Sequence, residues 1–599
     1  MSKQLPTRAD ALPQFTWNLS DIFPTDAAWR EELRRISGQV DILRTYQGKL
    51  GKDAKTLLSF LRFGDELSLA LDKLGNYARR KSDEDTRNAI YQQMSAQFTN
   101  LAIEIGQASA FETPEILAIP DNVLTQFYID EPGLAHYKLV LTRVRRQKEH
   151  TLSEEGEALL AAAGQLGQAP DDIFSMLNDA DMAFPEAKDA EGNLHPVTHG
   201  SYVPLLQSPD RELRKSAFQS LYSVYGQFRN TSASVLTAQM KQLQFFANAR
   251  KYPSTLHAAL DGNEVPVEIY HNLIQTVRAN LPAMHRYVGL RKKLLGLDAL
   301  HFYDLYTPII ADQDIHIPYD EAKELVLQAL APLGQDYLQM LQEGFENRWI
   351  DVYENQGKRS GAYSAGAYGV HPYVLLNYTD KIGDVFTLAH EMGHALHSYL
   401  SNKKQSITYA NYVIFVAEVA STCNESLLMQ HLLNKTEDKR RRAYLINYFL
   451  EQFRGTLYRQ TMFAEFELWC SEQVRQGEAL TAQALCEKYA ALNRDYYGEE
   501  IVLDEEIALE WARIPHFYYD FYVYQYATGY AAAIALSQRI LREGESAVKD
   551  YMEFLSGGCS AKPVELLKGA GVDMASPEPV ADALKLFDQL VSELEQLCS

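Results

Sequence analysis

Apolar residues recur at three- and four-residue intervals over most of the chain, the spacing that lines one face of a helix. "AYLINYFLEQFRGTLYRQTMFAEFELW" (443–469) keeps this spacing, and so does "DEAKELVLQALAPLGQDYLQMLQEGF" (320–345). Three stretches interrupt it. "FPTD" (23–26) closes an N-terminal segment, and "FPEAKDAEGNLHPVTHGSY" (184–202) has the Gly, Pro and polar content of a small hairpin or linker. "QGKRSGAYSAGAYGVHPYVLLNYTD" (356–380) has glycines at 361, 366 and 369, followed by the strand-like run "PYVLLNY". The pattern predicts a mainly α protein with a little β structure. We divide it into a helical N-terminal region (1–110), a second helical region ending in the hairpin (111–200), and a large region (201–599). The last contains all the candidate chemistry.

One predicted helix stands apart. In "FTLAHEMGHALHSYL" (386–400), His390 and His394 are four residues apart and share a helix face, so both imidazoles can reach one metal ion. Glu391, next to the first of them, is placed to hold a metal-bound water without ligating the metal itself. Val385, Leu388, Met392, Leu396 and Tyr399 keep helical spacing and predict a buried helix, with Asp384 as its N-cap. Gly393 inside it costs about 1 kcal/mol relative to alanine, which predicts a close approach by a second helix.

A catalytic zinc takes three protein ligands and keeps one open position. The extension that adds a glycine and then a third histidine, at three-residue steps after the second histidine, is absent: those positions hold His397 and Leu400. A carboxylate from another helix is the remaining common choice. "YVIFVAEVASTCNESLLMQHLL" (412–433) is helical by periodicity, and its Glu418 sits in an apolar turn where an unpaired carboxylate is expensive to bury. Glu425, two turns along the same face, suits a hydrogen bond from a ligand imidazole. His397 is expected to be packed or supporting rather than a ligand.

Composition narrows the function classes. The formal charge of −22 and pI of about 5.2 repel phosphate backbones, so nucleic acid is not expected as a partner. No window approaches a membrane span, and "MSKQLPTRAD" has no apolar stretch after its basic residues, so neither a membrane segment nor a secretory signal is expected. Five cysteines without a CxxC pair predict reduced thiols in a cytoplasmic protein.

"HEMGHALH" followed by "FVAEVASTCNE" resembles the thimet-oligopeptidase family of zinc metallopeptidases, most closely its bacterial oligoendopeptidase F branch. The likeness extends through "FTWNLSDIFP" (15–24), "LGNYARRKSDEDT" (74–86), "HTLSEEGEALLA" (150–161), "LLQSPDRELRKSAFQSLY" (205–222), "GAYSAGAYGVHPYVLLNY" (361–378) and "WARIPHFYYDFYVYQYATGY" (511–530). The resemblance implies one zinc per chain held by His390, His394 and Glu418, with Glu391 as general base. It also implies a helical, two-lobed molecule with a deep channel, a small sheet beside the zinc helix, and unstructured oligopeptides as substrates.

Hydrolysis at such a site needs donors to the tetrahedral oxyanion besides the metal. "PHFYYDFYVYQYATGY" (515–530) holds six tyrosines and a histidine. The resemblance assigns the donor role to this region, and His516 with Tyr519 and Tyr522 is the best match, Tyr526 a further candidate. "PYVLLNY" reads on sequence alone either as an edge strand that binds an extended peptide, under a loop freed by the three glycines, or as a buried strand beside a flexible loop, and the family resemblance implies substrate binding. Two other readings stand beside the endopeptidase: a carboxypeptidase or dipeptidyl carboxypeptidase on a similar scaffold, and a non-catalytic peptide-binding protein. The cleaved-bond preference, the natural peptides and the oligomeric state are not encoded in any motif we find.

Overall fold

The helical periodicity becomes helices along nearly the whole chain in a computed structural model, which describes residues 5–310 and 316–598. Six helices matter for function: α1 (Ala54–Glu84), α2 (Arg211–Ala249), α3 (Ile382–Lys404), α4 (Ile414–Lys435), α5 (Arg459–Gln476) and α6 (Tyr524–Glu543). The short strands are β1 (Ala187–Lys188), β2 (Leu194–His195), β3 (Leu300–His301), β4 (Ile350–Asp351), β5 (Tyr363–Ala365), β6 (Tyr373–Leu375) and β7 (Ile501–Val502).

The chain forms two compact units, each from separated segments. One comprises Met1–Glu149, Ile315–Leu428 and Leu536–Gly571; the other comprises His150–Asp314, Met429–Ala535 and Val572–Ser599. The division expected near residue 200 falls inside the second unit. Two of the crossings, after Leu428 and after Ala535, lie within the uninterrupted helices α4 and α6. No linker composition marks such a crossing.

Local details follow the residues. The 184–202 stretch is a hairpin, with Ala187 opposite His195 and Lys188 opposite Leu194. The 320–345 run is two helices rather than one, Tyr319–Ala329 and Gln335–Glu346. Pro332 lacks an amide donor and Gly334 takes a φ of 85°, so the helix cannot continue through them. The 443–469 run stays helical but passes through a π-helical turn at Phe453–Tyr458.

In the first unit a three-stranded sheet runs in the order β4-β6-β5. β4 is parallel to β6, with Ile350 opposite Val374, and β5 is antiparallel to it, with Ser364 opposite Val374. "PYVLLNY" therefore supplies the middle strand, the buried one of its two readings, and not an edge. Tyr373, Val374 and Leu375 are fully buried, and an uninterrupted apolar run is what a strand covered on both faces requires. The two edges are β4, which is buried, and β5, which is half-buried. Gly361 and Gly369 take φ of 81° and 76°, whereas a Cβ on Gly366 would stand 2.8 Å from Cβ of Ser398 on α3. Gly366 thus serves a close strand–helix approach.

Candidate metal centre

α3 begins one turn earlier than Asp384 predicts: Lys381 is the N-cap, and Asp384 lies at the third helical position. Its carboxylate still caps the start, accepting the Lys381 amide at 3.1 Å and the Thr379 amide at 2.8 Å. Val385, Leu388, Met392 and Leu396 are all fully buried, and Tyr399 is half-buried. This apolar stripe fixes the rotation of α3, and the histidine face follows from it.

α4 crosses against α3 at Gly393. A Cβ there would lie 2.6 Å from Cα of Ser421 and 2.8 Å from the carbonyl oxygen of Ala420, so only glycine fits. Asn424, fully buried, bolts the pair together by donating to the Ala389 carbonyl at 3.0 Å while its own oxygen accepts from Tyr337 at 3.0 Å.

The contact brings the expected ligands together. Nε2 of His390 lies 3.4 Å and Nε2 of His394 lies 3.3 Å from the same oxygen, Oε2 of Glu418. The donor atoms of the three residues all fall within 4.8 Å of one another, and the two imidazole planes are 84° apart. Tetrahedral zinc ligands at about 2.0–2.1 Å from the ion stand about 3.3–3.4 Å from each other. Two imidazoles and one carboxylate form a donor set suited to a catalytic zinc. The residues fit a metal ion.

Their surroundings hold them in place. Nδ1 of His390 is 2.5 Å from Oε1 of Glu425, the supporting contact that the spacing of α4 predicts. Ser421, one turn after Glu418, donates to Oε2 of Glu418 at 3.0 Å. Burial opposes charge on His390, but Glu418 and Glu425 outweigh it and raise the imidazole to about 10. Burial likewise opposes the Glu418 carboxylate, and hydrogen bonds from His390 and His394 reverse this and hold it well below the usual carboxylate range. The cluster is built to surround positive charge.

Glu391 is 6% exposed, and its Oε2 has no hydrogen-bond partner among the described residues. Burial pushes its carboxyl above the usual range, partly offset by His390 and His394. His397 is not a ligand. It is 1% exposed, stacks on Tyr412 at 3.8 Å with ring planes 6° apart, and burial lowers it to about 3, so it is a neutral packing group. A cavity of 760 Å³ is lined by Ser398 and Asn402 of α3, by Tyr412, Ser364 and Gly366, and by Arg80 of α1.

In the second unit His516 gathers part of the aromatic segment. Its Nε2 is 3.3 Å from the Tyr526 hydroxyl, and its ring centroid lies 5.6 Å from Tyr519 and 6.2 Å from Tyr522. Tyr518, Tyr524 and Tyr530 are buried in the core, so three of the six tyrosines pack and three surround the imidazole. No motif in the sequence marks Ser421, Asn424 or Tyr412. Ser421 carries a readable signal, being one turn from Glu418; the partners of the other two depend on how the helices pack.

A family model described as peptidase family M3 matches residues 204–586. The chain belongs to this family. A second model, described as oligopeptidase F, matches residues 115–184. Oligopeptidase PepF of Bacillus subtilis is 47% identical over 596 residues, spanning 100% of this chain and 89% of that protein. Among solved structures, oligoendopeptidase-F from Enterococcus faecium is 37% identical with a TM-score of 0.75, covering 96% of this chain and 99% of that one. A crystal structure from Chlamydophila abortus aligns with a TM-score of 0.94 at 36% identity, covering 99% of this chain and 100% of that one. The chain is thus a family M3 peptidase with a mainly α fold, and none of its described helices is long and apolar enough to cross a membrane.

Proposed function

We propose that this peptidase is a zinc-dependent endopeptidase that cleaves internal bonds of short, unstructured oligopeptides. The observation that carries the reading is the approach of His390 and His394 to one Glu418 oxygen, beside a Glu391 whose Oε2 has no hydrogen-bond partner among the described residues. The names of the relatives, oligopeptidase and oligoendopeptidase, support the substrate class.

His390, His394 and Glu418 would hold one zinc ion. When bound, zinc supplies Lewis acidity that polarises the scissile carbonyl and acidifies water. Glu391 takes the water proton on Oε2 and returns it to the leaving nitrogen; its raised pKa brings it closer to neutrality, where a general base works best. Glu425 fixes the His390 tautomer by accepting its Nδ1–H, which leaves the Nε2 lone pair for the metal. The free edge of β5 orients an extended peptide through backbone hydrogen bonds. His516, Tyr519 and Tyr522 form a cluster of neutral hydrogen-bond donors within the second unit, the residue types to which the family resemblance assigns oxyanion binding. The five free cysteines agree with a cytoplasmic location.

The test is cleavage of a defined synthetic peptide, read by mass spectrometry with and without a zinc chelator. Internal cleavage that stops with chelator and returns with zinc is expected. Release of C-terminal residues or dipeptides alone would replace the endopeptidase reading with the carboxypeptidase one.

A further inference from the structure

The cavity of 760 Å³ is lined wholly by residues of the first unit, which also holds His390, His394 and Glu418. Two of its walls adjoin the metal centre. Ser398 stands one turn after His394 on α3 and shares a 2.9 Å hydrogen bond with the Tyr412 hydroxyl. Burial raises that hydroxyl to about 12, and the charge of Glu418 nearby adds to the effect. A third wall is Ser364 of β5, the strand proposed above to orient an extended peptide. From α1 come Asp65, Asp72, Arg79 and Arg80.

The carboxylates of α1 are engaged and its cations are not. Asp65 accepts the Tyr137 hydroxyl at 2.6 Å and the Thr408 hydroxyl at 3.0 Å. Asp72 accepts the Tyr368 amide at 2.7 Å and the Asn76 side-chain amide at 3.1 Å, and burial pushes its carboxyl above the usual range. Arg80 is 9% exposed, yet its one side-chain hydrogen bond among the described residues runs from Nη1 to Oδ1 of Asn76 at 3.1 Å. Its Nε has no hydrogen-bond partner and lies 3.6 Å from Oδ2 of Asp83. Asp83 is shared with Arg359 at 3.3 Å and with the Tyr363 hydroxyl at 2.5 Å, so two guanidiniums face one carboxylate. Arg79 is exposed, lies over the Phe98 ring at 5.4 Å, and has no hydrogen bond or ion pair among the described residues. A guanidinium carries five N–H donors. The cavity therefore holds donors and positive charge that the chain itself leaves unmatched.

We propose that Arg80, with Arg79 beside it, forms a carboxylate-binding subsite: it takes a carboxylate of the substrate peptide, either the C-terminal group or an acidic side chain, while β5 holds the peptide backbone. This rests on the endopeptidase reading above. A carboxylate matches the planar fork of a guanidinium, and burial strengthens the pairing relative to water. Asn76 and Asp83 hold the Arg80 fork in place. The chain as a whole carries a formal charge of −22 and repels acidic peptides at a distance, so their acceptance depends on a local site of this kind.

The experiment measures kcat/KM of zinc-loaded protein on peptides of one sequence that differ only in a carboxylate. Free C-terminal acid is set against C-terminal amide, and Glu against Gln at each position in turn, with cleavage sites read by mass spectrometry. The acidic-to-neutral ratio is taken within each enzyme, so a loss of folded protein does not alter it, and a merely structural role for Arg80 would leave it unchanged. In wild type one of these carboxylates raises kcat/KM about tenfold or more, as a charge-assisted hydrogen bond does. Preference for the C-terminal acid identifies that group as the ligand, and preference at one position identifies an acidic side chain. Arg80→Gln brings the ratio close to one, and Arg79→Gln lowers it severalfold. Arg79 is exposed, so its variant reports even where Arg80→Gln yields no folded protein. A ratio near one for every wild-type pair, or a wild-type ratio in either variant, overturns the subsite and leaves the endopeptidase reading intact. If wild type shows no zinc-dependent internal cleavage, that reading fails and the subsite fails with it.

Discussion

Nδ1 of His390 stands 2.5 Å from Oε1 of Glu425, and the imidazole's other nitrogen faces Glu418 at 3.4 Å. One ring thus spans two carboxylates of the same helix, and each end of it has a distinct task. Removing the outer one, by Glu425→Ala, frees the ring to rotate and to change tautomer. The expected result is a zinc affinity lowered about 10- to 100-fold, measured by competition with a chromogenic chelator. Unchanged affinity would show that Glu425 does not orient the ligand.

Gly393→Ala makes a test of the helix crossing. Alanine favours a helix over glycine by about 1 kcal/mol, yet here its methyl group would meet the backbone of Ser421 and Ala420, 2.6 and 2.8 Å away. Overpacking of this kind costs about 1–3 kcal/mol, and the helices that carry the ligands are forced apart. The variant should unfold at lower denaturant and bind zinc more weakly. Gly64→Ala in α1 is the control: nothing lies within 4 Å of its added Cβ, and it should gain up to about 1 kcal/mol.

His397 gives a pH prediction. Burial holds its folded pKa at about 3, below the ordinary value of 6.5. The unfolded chain therefore takes up this proton first, and the stability His397 confers is complete above pH 6.5 and falls as pH drops towards 3. At pH 5 the loss is about 2 kcal/mol. His397→Phe should remove that part of the acid dependence when both proteins are compared metal-free. Identical acid profiles would mean that His397 is not held neutral.

Glu391→Gln separates base from ligand. The amide preserves shape but cannot take the water proton, so zinc content should match wild type while kcat falls about 10²- to 10⁴-fold. A near-normal rate would remove Glu391 as the base.

Much of this centre was legible in the sequence because it depends on spacing within two helices. His390 and His394 share a face by their four-residue interval, Gly393 marks the crossing, and Glu425 lies two turns from Glu418. What the spacing could not give was partnership between elements. The middle position of β6 depends on β4 and β5 flanking it, although its unbroken apolar run is the trace of that burial. The unit boundaries pass through helices α4 and α6, where hydrophobic period continues without a break. In the aromatic segment, helical spacing cannot separate Tyr518, Tyr524 and Tyr530 of the core from the ring of tyrosines around His516, because the left-handed bend at Asp520 and Phe521 resets the register between them.

The central claim is that His390, His394 and Glu418 hold one zinc ion on which peptide hydrolysis depends. Its most direct test is zinc titration of chelator-treated protein, with bound zinc and peptide cleavage measured together, for wild type and Glu418→Ala. The account predicts activity rising in proportion to zinc and saturating at one equivalent per chain, with Glu418→Ala needing far more zinc. Full cleavage by zinc-free wild type, or unchanged zinc binding by Glu418→Ala, would contradict it.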